Sequence, residues 1–229
     1  MGVRRRRAAG RYACGQHRSL YEIRGVCRRR GSAGASVSGA GAARLDIGGH
    51  WAEALIREAA ASGVVGGYPD RTFRPDAAVT RAELAVLLAR GLGLAAADAE
   101  SSFGDAAAIP LWAAPGVAAA AKAGIVDGYD DGTFRAERTV TRAELAAMAA
   151  RALRAGADGV PAVSAAAEAS AFVDAADIPA WAQASVAFAA AAGLFEGRGD
   201  NRFVPTGETT RAEAVKIVLA LTKQRAALS

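Results

Sequence analysis

The chain has 229 residues, and 52% of them are hydrophobic. Yet 62 are alanine, with only 7 Phe, 4 Tyr and 3 Trp beside them, which disfavours a β-sandwich and calls for a core of closely approaching helices. The net charge of +5 is unevenly held: residues 1–44 carry +10 and the remaining 185 carry −5, so the basic balance belongs to the tail and does not mark the body for nucleic acid.

Residues 1–43, rich in Arg, Gly, Ala and Ser, read as a basic disordered tail. Arg4, Arg5, Arg6 and Arg7 have the character of a signal-peptide n-region, but no apolar h-region follows. A misassigned start or a fragmentary gene is the expectation for this segment. Both cysteines, Cys14 and Cys27, lie in it; with His17 they make three ligands and lack a fourth, so no metal site is expected. A thiol-free body suits work outside a reducing cytosol without disulfides, and fits a cytosolic protein as well. The longest uncharged apolar stretch, 106–121, spans 16 residues and holds Pro110 and Pro115. A membrane helix needs about 20 residues, so no transmembrane segment is expected.

The body is a repeat. Thr-Arg-Ala-Glu occurs at 80–83, 141–144 and 210–213, and the three tryptophans, Trp51, Trp112 and Trp181, each stand 29 residues before its threonine. Glycines follow each Trp by 12 residues (Gly63, Gly124, Gly193) and by 16 (Gly67, Gly128, Gly197). An aspartate follows by 19 (Asp70, Asp131, Asp200) and a phenylalanine by 22 (Phe73, Phe134, Phe203). The length variation falls between copies, in 91–102 and 155–171.

Each copy reads as helix, loop, helix. In the first, Trp51, Leu55, Ala59 and Ser62 keep helical spacing, and Gly63 stands where a C′ glycine ends a helix. The loop Gly66-Gly67-Tyr68-Pro69-Asp70-Arg71-Thr72-Phe73 is dense in turn formers. Thr80 and Glu83 then form a capping box ahead of Leu84, Leu87 and Leu88. Pro110 and Pro179 sit where a first helical turn accepts proline. Three such units predict an all-α body, since no single unit can bury its own apolar face.

The pattern resembles the S-layer homology (SLH) domain in three tandem copies. The resemblance rests on Asp46-Ile47-Gly48-Gly49-His50-Trp51-Ala52, on the loop from Gly63 to Pro75, and on Val79-Thr80-Arg81-Ala82-Glu83-Leu84, and it covers about residues 45–224. It places motif 1 at 44–92, motif 2 at 103–154 and motif 3 at 172–224. It implies a pseudo-threefold unit around a central helical bundle, with ligand grooves between neighbouring motifs. It also implies non-covalent anchoring to secondary cell wall polymers of the bacterial envelope, often glycans bearing pyruvate ketals, at the cell surface. No cofactor is implied, and no oligomeric state. Some positions depart from the family pattern: Arg44 stands where Phe103 and Phe172 match it, Arg71 replaces the glycine seen at Gly132, and Ala136 replaces the proline of Pro75 and Pro205. Arg198 stands where Tyr68 and Tyr129 do, which makes copy three the least regular.

The candidate ligand-binding residues are Asp46, Trp51, Gly67 and Arg81, with Asp105, Trp112, Gly128 and Arg142, and with Asp174, Trp181, Gly197 and Arg211. A helix N-terminus is already positive, so an arginine at N1 three times over is locally unfavourable. It makes sense if a ligand carboxylate sits against helix end and guanidinium together, or if the arginine pairs internally with Asp46, Asp105 or Asp174. Each Trp is either core or a stacking platform for a sugar ring. Gly67, Gly128 and Gly197 are expected to take positive φ, with close backbone approach to a ligand as the added reading. Asp70, Asp131 and Asp200 read as turn residues. Neither His17 nor His50 has a nucleophile partner, and no Gly-rich phosphate loop is present, so no catalysis is expected. An α-helical module for protein–protein interaction in the envelope is the other reading, and its mark would be an exposed apolar groove.

Overall fold

A computed structural model describes residues 46–95, 102–155 and 172–228. The basic tail with Cys14, His17 and Cys27, and Arg44 after it, lie outside the described residues. Six α-helices follow one another: α1 (Glu53–Ala61), α2 (Arg81–Gly91), α3 (Ala114–Lys122), α4 (Arg142–Arg154), α5 (Ala180–Ala191) and α6 (Arg211–Leu228). Short 3-10 turns at Ala106–Ala108 and Ala175–Asp177 precede α3 and α5. Isolated β-bridges join the loops, and there is no strand among the described residues, so the body is all-α.

The local signals act as their chemistry requires. Gly63, Gly124 and Gly193 end the first helices with φ of +76°, +68° and +68°, a region where a side chain would be strained. The Gly63 amide donates to Ala60 O and the Val64 amide to Ala59 O, which satisfies the last carbonyls of α1. At the second helices the capping box is complete each time. Thr80 Oγ1 accepts from the Glu83 amide at 3.2 Å, and Glu83 Oε2 accepts from the Thr80 amide at 3.1 Å. Thr141 with Glu144 and Thr210 with Glu213 repeat the arrangement. The prolines divide differently from expectation. Pro179 is the N-cap of α5, but Pro110 lies in a turn ahead of α3, and Pro115 takes the first-turn position.

Helices pack across copies. The second helix of each copy lies on the first helix of the next: α2 on α3, α4 on α5, and α6 on α1, while α6 also meets α2 and α4. Small residues permit the approach. A Cβ on Gly116 of α3 would stand 2.9 Å from Val86 Cγ2 of α2, so alanine and glycine replace the large side chains that this composition lacks. Where the loops meet, three backbone bonds close a ring: Val79 N to Thr209 O, Thr209 N to Val140 O, and Val140 N to Val79 O, each 2.9–3.0 Å. Phe73, Phe134 and Phe203 are buried at one repeat position beneath the loops.

Candidate functional site

The three arginines at N1 are buried, not solvent-facing. Each reaches into the next copy. Arg81 Nε donates to Phe134 O (2.8 Å), Arg142 Nε to Phe203 O (2.7 Å) and Arg211 Nε to Phe73 O (2.9 Å). Arg81 Nη2 adds Asp127 O, and Arg142 Nη2 adds Glu196 O. Their carboxylate partner is the capping-box glutamate of the next copy: Glu144 for Arg81 (3.9 Å), Glu213 for Arg142 (3.3 Å) and Glu83 for Arg211 (2.8 Å). These glutamates, and not Asp46, Asp105 or Asp174, are the ion-pair partners. Burial pushes the guanidinium pKa of Arg81 and Arg142 down, because a desolvated cation is disfavoured.

The helix ends are also filled. The N1 and N2 amides of α2 donate to Arg138 O and Ala136 O, those of α4 to Gly207 O and Pro205 O, and those of α6 to Ala77 O and Pro75 O. Together with the capping boxes this leaves no N-terminal amide for a ligand carboxylate. Backbone carbonyls of the neighbouring copy occupy the place that the sequence reading assigned to an anion.

Asp46, Asp105 and Asp174 hold the loops. Asp105 Oδ1 and Oδ2 accept from the amides of Phe134 and Arg135 at 2.6 and 2.8 Å, and Asp174 does the same with Phe203 and Val204 at 2.6 and 2.8 Å. Asp46 accepts from the Phe73 and Arg74 amides. Burial would raise the pKa of Asp105 and Asp174, but the paired amides outweigh it and hold both below the usual carboxylate range. The paired bonds force positive φ on the next residue, Arg74, Arg135 and Val204, at +58°, +57° and +56°.

Gly67, Gly128 and Gly197 do not take positive φ, contrary to expectation. Crowding explains two of them: a Cβ on Gly128 would meet Thr133 O at 3.1 Å, and one on Gly197 would meet Asn201 Oδ1 at 2.4 Å. The positive φ moves to Gly132 in copy two and to Arg71 in copy one, at +75° and +67°. Asp70 and Asp131 are turn residues, each accepting from the threonine amide two residues on at 2.9 Å. Asp200 itself takes φ of +51°.

The tryptophans settle the core-or-surface alternative for two copies: Trp51 and Trp181 are 59% and 60% exposed. Trp112 is half-buried. Each Trp lies beside the second helix of the preceding copy, and this builds grooves from all three copies. One, of about 570 Å³, has Arg81 from copy one, Gly128, Tyr129 and Glu144 from copy two, and Trp181 from copy three on its walls. That volume falls in the usual ligand range of about 300–1,000 Å³. Another, of about 150 Å³, joins Arg142, Gly197, Arg198, Glu213, Lys216 and Trp51. A more apolar pocket, also about 150 Å³, is lined by Trp112, Arg90, Val86 and Pro115.

Several groove residues lay beyond the sequence reading. Tyr129 and Glu144 are bonded to each other at 2.7 Å, and Arg138 donates to the Tyr129 hydroxyl. Arg151 pairs with Asp127 at 2.9 Å, and Lys216 pairs with Glu196 at 2.9 Å. Arg138 and Lys216 stand at positions that the copies do not share, so comparing copies could not flag them, whereas Arg151 has a counterpart in Arg90 of copy one. Among the described residues no group of three His, Cys, Asp or Glu could hold a metal ion, and no helix is long and apolar enough to cross a membrane.

The described residues thus form an all-α body of three interlocked copies, with two exposed tryptophans over grooves walled by buried arginines. The S-layer homology domain family model matches residues 45–85, 102–146 and 171–215, and the chain belongs to that family. It is 34% identical over 171 residues to an endoglucanase of Bacillus sp. (strain KSM-635), across 75% of this chain and 18% of the endoglucanase. It is 37% identical over 114 residues to the S-layer protein EA1 of Bacillus anthracis, across 49% of this chain and 13% of that protein. A cellulosome-anchoring protein of Acetivibrio thermocellus is 33% identical over 112 residues, 47% of this chain and 25% of that protein. The chain thus spans a quarter or less of these relatives, and family membership makes it a cell-surface anchoring module of the bacterial envelope.

Proposed function

We propose that this chain attaches non-covalently to the bacterial cell wall by binding an anionic glycan, such as a pyruvylated secondary cell wall polymer, in the grooves between its copies. The observation that carries this reading is the pairing of an exposed tryptophan with a buried arginine across one groove: Trp181 with Arg81, and Trp51 with Arg142. An indole face packs on a sugar ring, and a guanidinium edge meets a carboxylate. The reading assigns no catalytic step to the chain and treats motifs 1–3 as one pseudo-threefold unit. The cyclic order of the Arg–Phe carbonyl bonds and of the helix pairs supports that symmetry.

The test is co-sedimentation of the full chain with purified cell walls, intact or chemically stripped of secondary polymer. Binding to intact walls and loss on stripping is the expected result. Equal binding to both overturns the glycan reading and sends attention to a protein partner, for which the apolar pocket at Trp112 beside the 89% exposed Leu111 is the place to look.

A further inference from the structure

Copy one turns into its first helix differently from the other two. Pro110 and Pro179 stand two residues before their tryptophans, and Gly49 takes that place before Trp51. In copies two and three the proline carbonyl closes the turn: Pro110 O accepts from the Ala113 amide and Pro179 O from the Ala182 amide, each at 2.8 Å. Gly49 has φ of +75°, which proline cannot adopt, and the matching amide of Ala52 donates instead to His50 Nδ1 at 3.1 Å. An imidazole thus replaces a backbone carbonyl. It does so in copy one alone, since Leu111 and Ala180 stand at the matching positions.

The replacement makes the turn depend on a proton. A backbone amide can only donate, so Nδ1 bears no hydrogen and the ring proton is on Nε2, 3.2 Å from Asp76 Oδ1. The imidazolium carries hydrogen on both nitrogens, so Nδ1–H would face the Ala52 N–H, donor against donor. The Asp76 contact survives protonation, and the bond that closes the turn does not. Trp51 lies inside that turn, with its ring centroid 5.4 Å from that of His50, and it walls a groove with Arg142, Glu213 and Lys216. The charges around the imidazole are Asp76, from the loop before α2, and Glu53 of α1, which accepts from Arg57 and the Gly49 amide. Across the groove, α4 and α6 supply Arg142, paired with Glu213, and Lys216, paired with Glu196. Each of these carboxylates has its own partner, so the His50 proton decides the turn.

We propose that His50 is a positioning residue that makes the groove at Trp51 respond to pH: the neutral ring holds the turn that presents the indole, and protonation releases it. The turns at Trp112 and Trp181, closed by carbonyls, do not respond. The chain then holds the wall less firmly in mildly acidic surroundings while its helices stay intact. The effect on wall attachment rests on the wall-glycan reading above, and the movement of Trp51 does not.

The first measurement is tryptophan emission of the full chain from about pH 8 to about pH 5, the range in which histidine ordinarily changes charge. Far-ultraviolet circular dichroism checks that the helices persist. The expected result is a one-proton step in emission that Trp51→Phe, with Trp112 and Trp181 intact, lacks. His50→Gln abolishes the step, because its amide oxygen accepts from Ala52 and its amide nitrogen donates to Asp76 at either pH. His17 remains in this variant, so loss of the step assigns the proton to His50. Emission without a step, a step that survives His50→Gln, or one shared by Trp51→Phe overturns the proposal. The first of these outcomes is read on the wild-type chain alone, even if a variant misfolds. The second measurement is sedimentation of the wild type and His50→Gln with intact cell walls at the two pH values. The wild type loses retention severalfold at the lower pH, and His50→Gln keeps it. Equal losses in both, or none in the wild type, overturn the link from Trp51 to the groove. A chain that sediments with intact walls at neither pH overturns the wall-glycan reading, and the emission titration still decides the role of His50.

Discussion

Thr209 sits in the ring of backbone bonds where Val79 and Val140 occupy the matching positions, and its hydroxyl is fully buried without a hydrogen-bond partner. Valine has nearly the same shape and no polar group to desolvate. Thr209→Val should therefore stabilise the fold by about 1 kcal/mol, read as a raised midpoint in chemical denaturation; a lowered midpoint would show that the hydroxyl is satisfied in solution. The arginines work in the opposite sense. Arg211→Met leaves the Glu83 carboxylate buried without its cation and the Phe73 carbonyl without its donor. Breaking a buried pair in this way costs about 3–5 kcal/mol, so the variant should unfold at markedly lower denaturant. Sequence reasoning saw that arginine at N1 needs an anion, and was right about the need. It could not see that the anion is the glutamate two residues further on in the motif, supplied by the next copy.

At the scale of the helix, the capping boxes and the C′ glycines were readable because their chemistry is local: a hydroxyl reaches an amide three residues away, and a positive φ suits glycine. The role of Gly128 and Gly197 was not readable, since crowding against Thr133 or Asn201 depends on how the loop closes and not on the glycine's own φ. Helix contacts show the same dependence. Gly116 of α3 faces Val86 of α2 so closely that an added methyl would meet both its Cγ2 and its Cα, at 2.9 and 3.2 Å. Gly116→Ala should cost roughly 1–3 kcal/mol by overpacking. A double-mutant cycle with Val86→Ala should recover part of that loss, and additive effects would mean that the two helices do not meet as described.

Across the whole molecule, the cross-copy bonds run in a closed cycle, so no copy has its core without the others. Arg211 of the last copy caps the loop of the first, and α6 lies on α1. A linear array frays from its ends, but this one should unfold in a single thermal transition with equal calorimetric and van't Hoff enthalpies. Two transitions would refute the interlocking. Acid should act on all three copies together. The Thr72 hydroxyl and amide, with Arg74, hold Asp70 at about 2, and Asp131, Asp105, Asp174 and Glu144 are also held below their ordinary values. A carboxylate depressed in the folded state contributes stability above its unfolded pKa and loses it as pH falls through the folded one. Stability should therefore be level above about pH 4–5 in this respect and fall steadily toward pH 2. A melting temperature that stays constant across that window would contradict the loop bonding.

The sequence by itself determined the all-α class, the three-copy organisation, the helix ends and the family. Each of these depends on spacing within one copy or on repetition along the chain. Only the tertiary structure decided that Arg81, Arg142 and Arg211 are buried between copies, that Asp46, Asp105 and Asp174 hold loops, and that the grooves at Trp181 and Trp51 combine side chains from all three copies. The physical reason is that the satisfaction of a charge or an amide is a property of what lies against it. In this protein the neighbour is regularly a residue 50 or more positions away, such as Phe134 for Arg81 or Glu83 for Arg211.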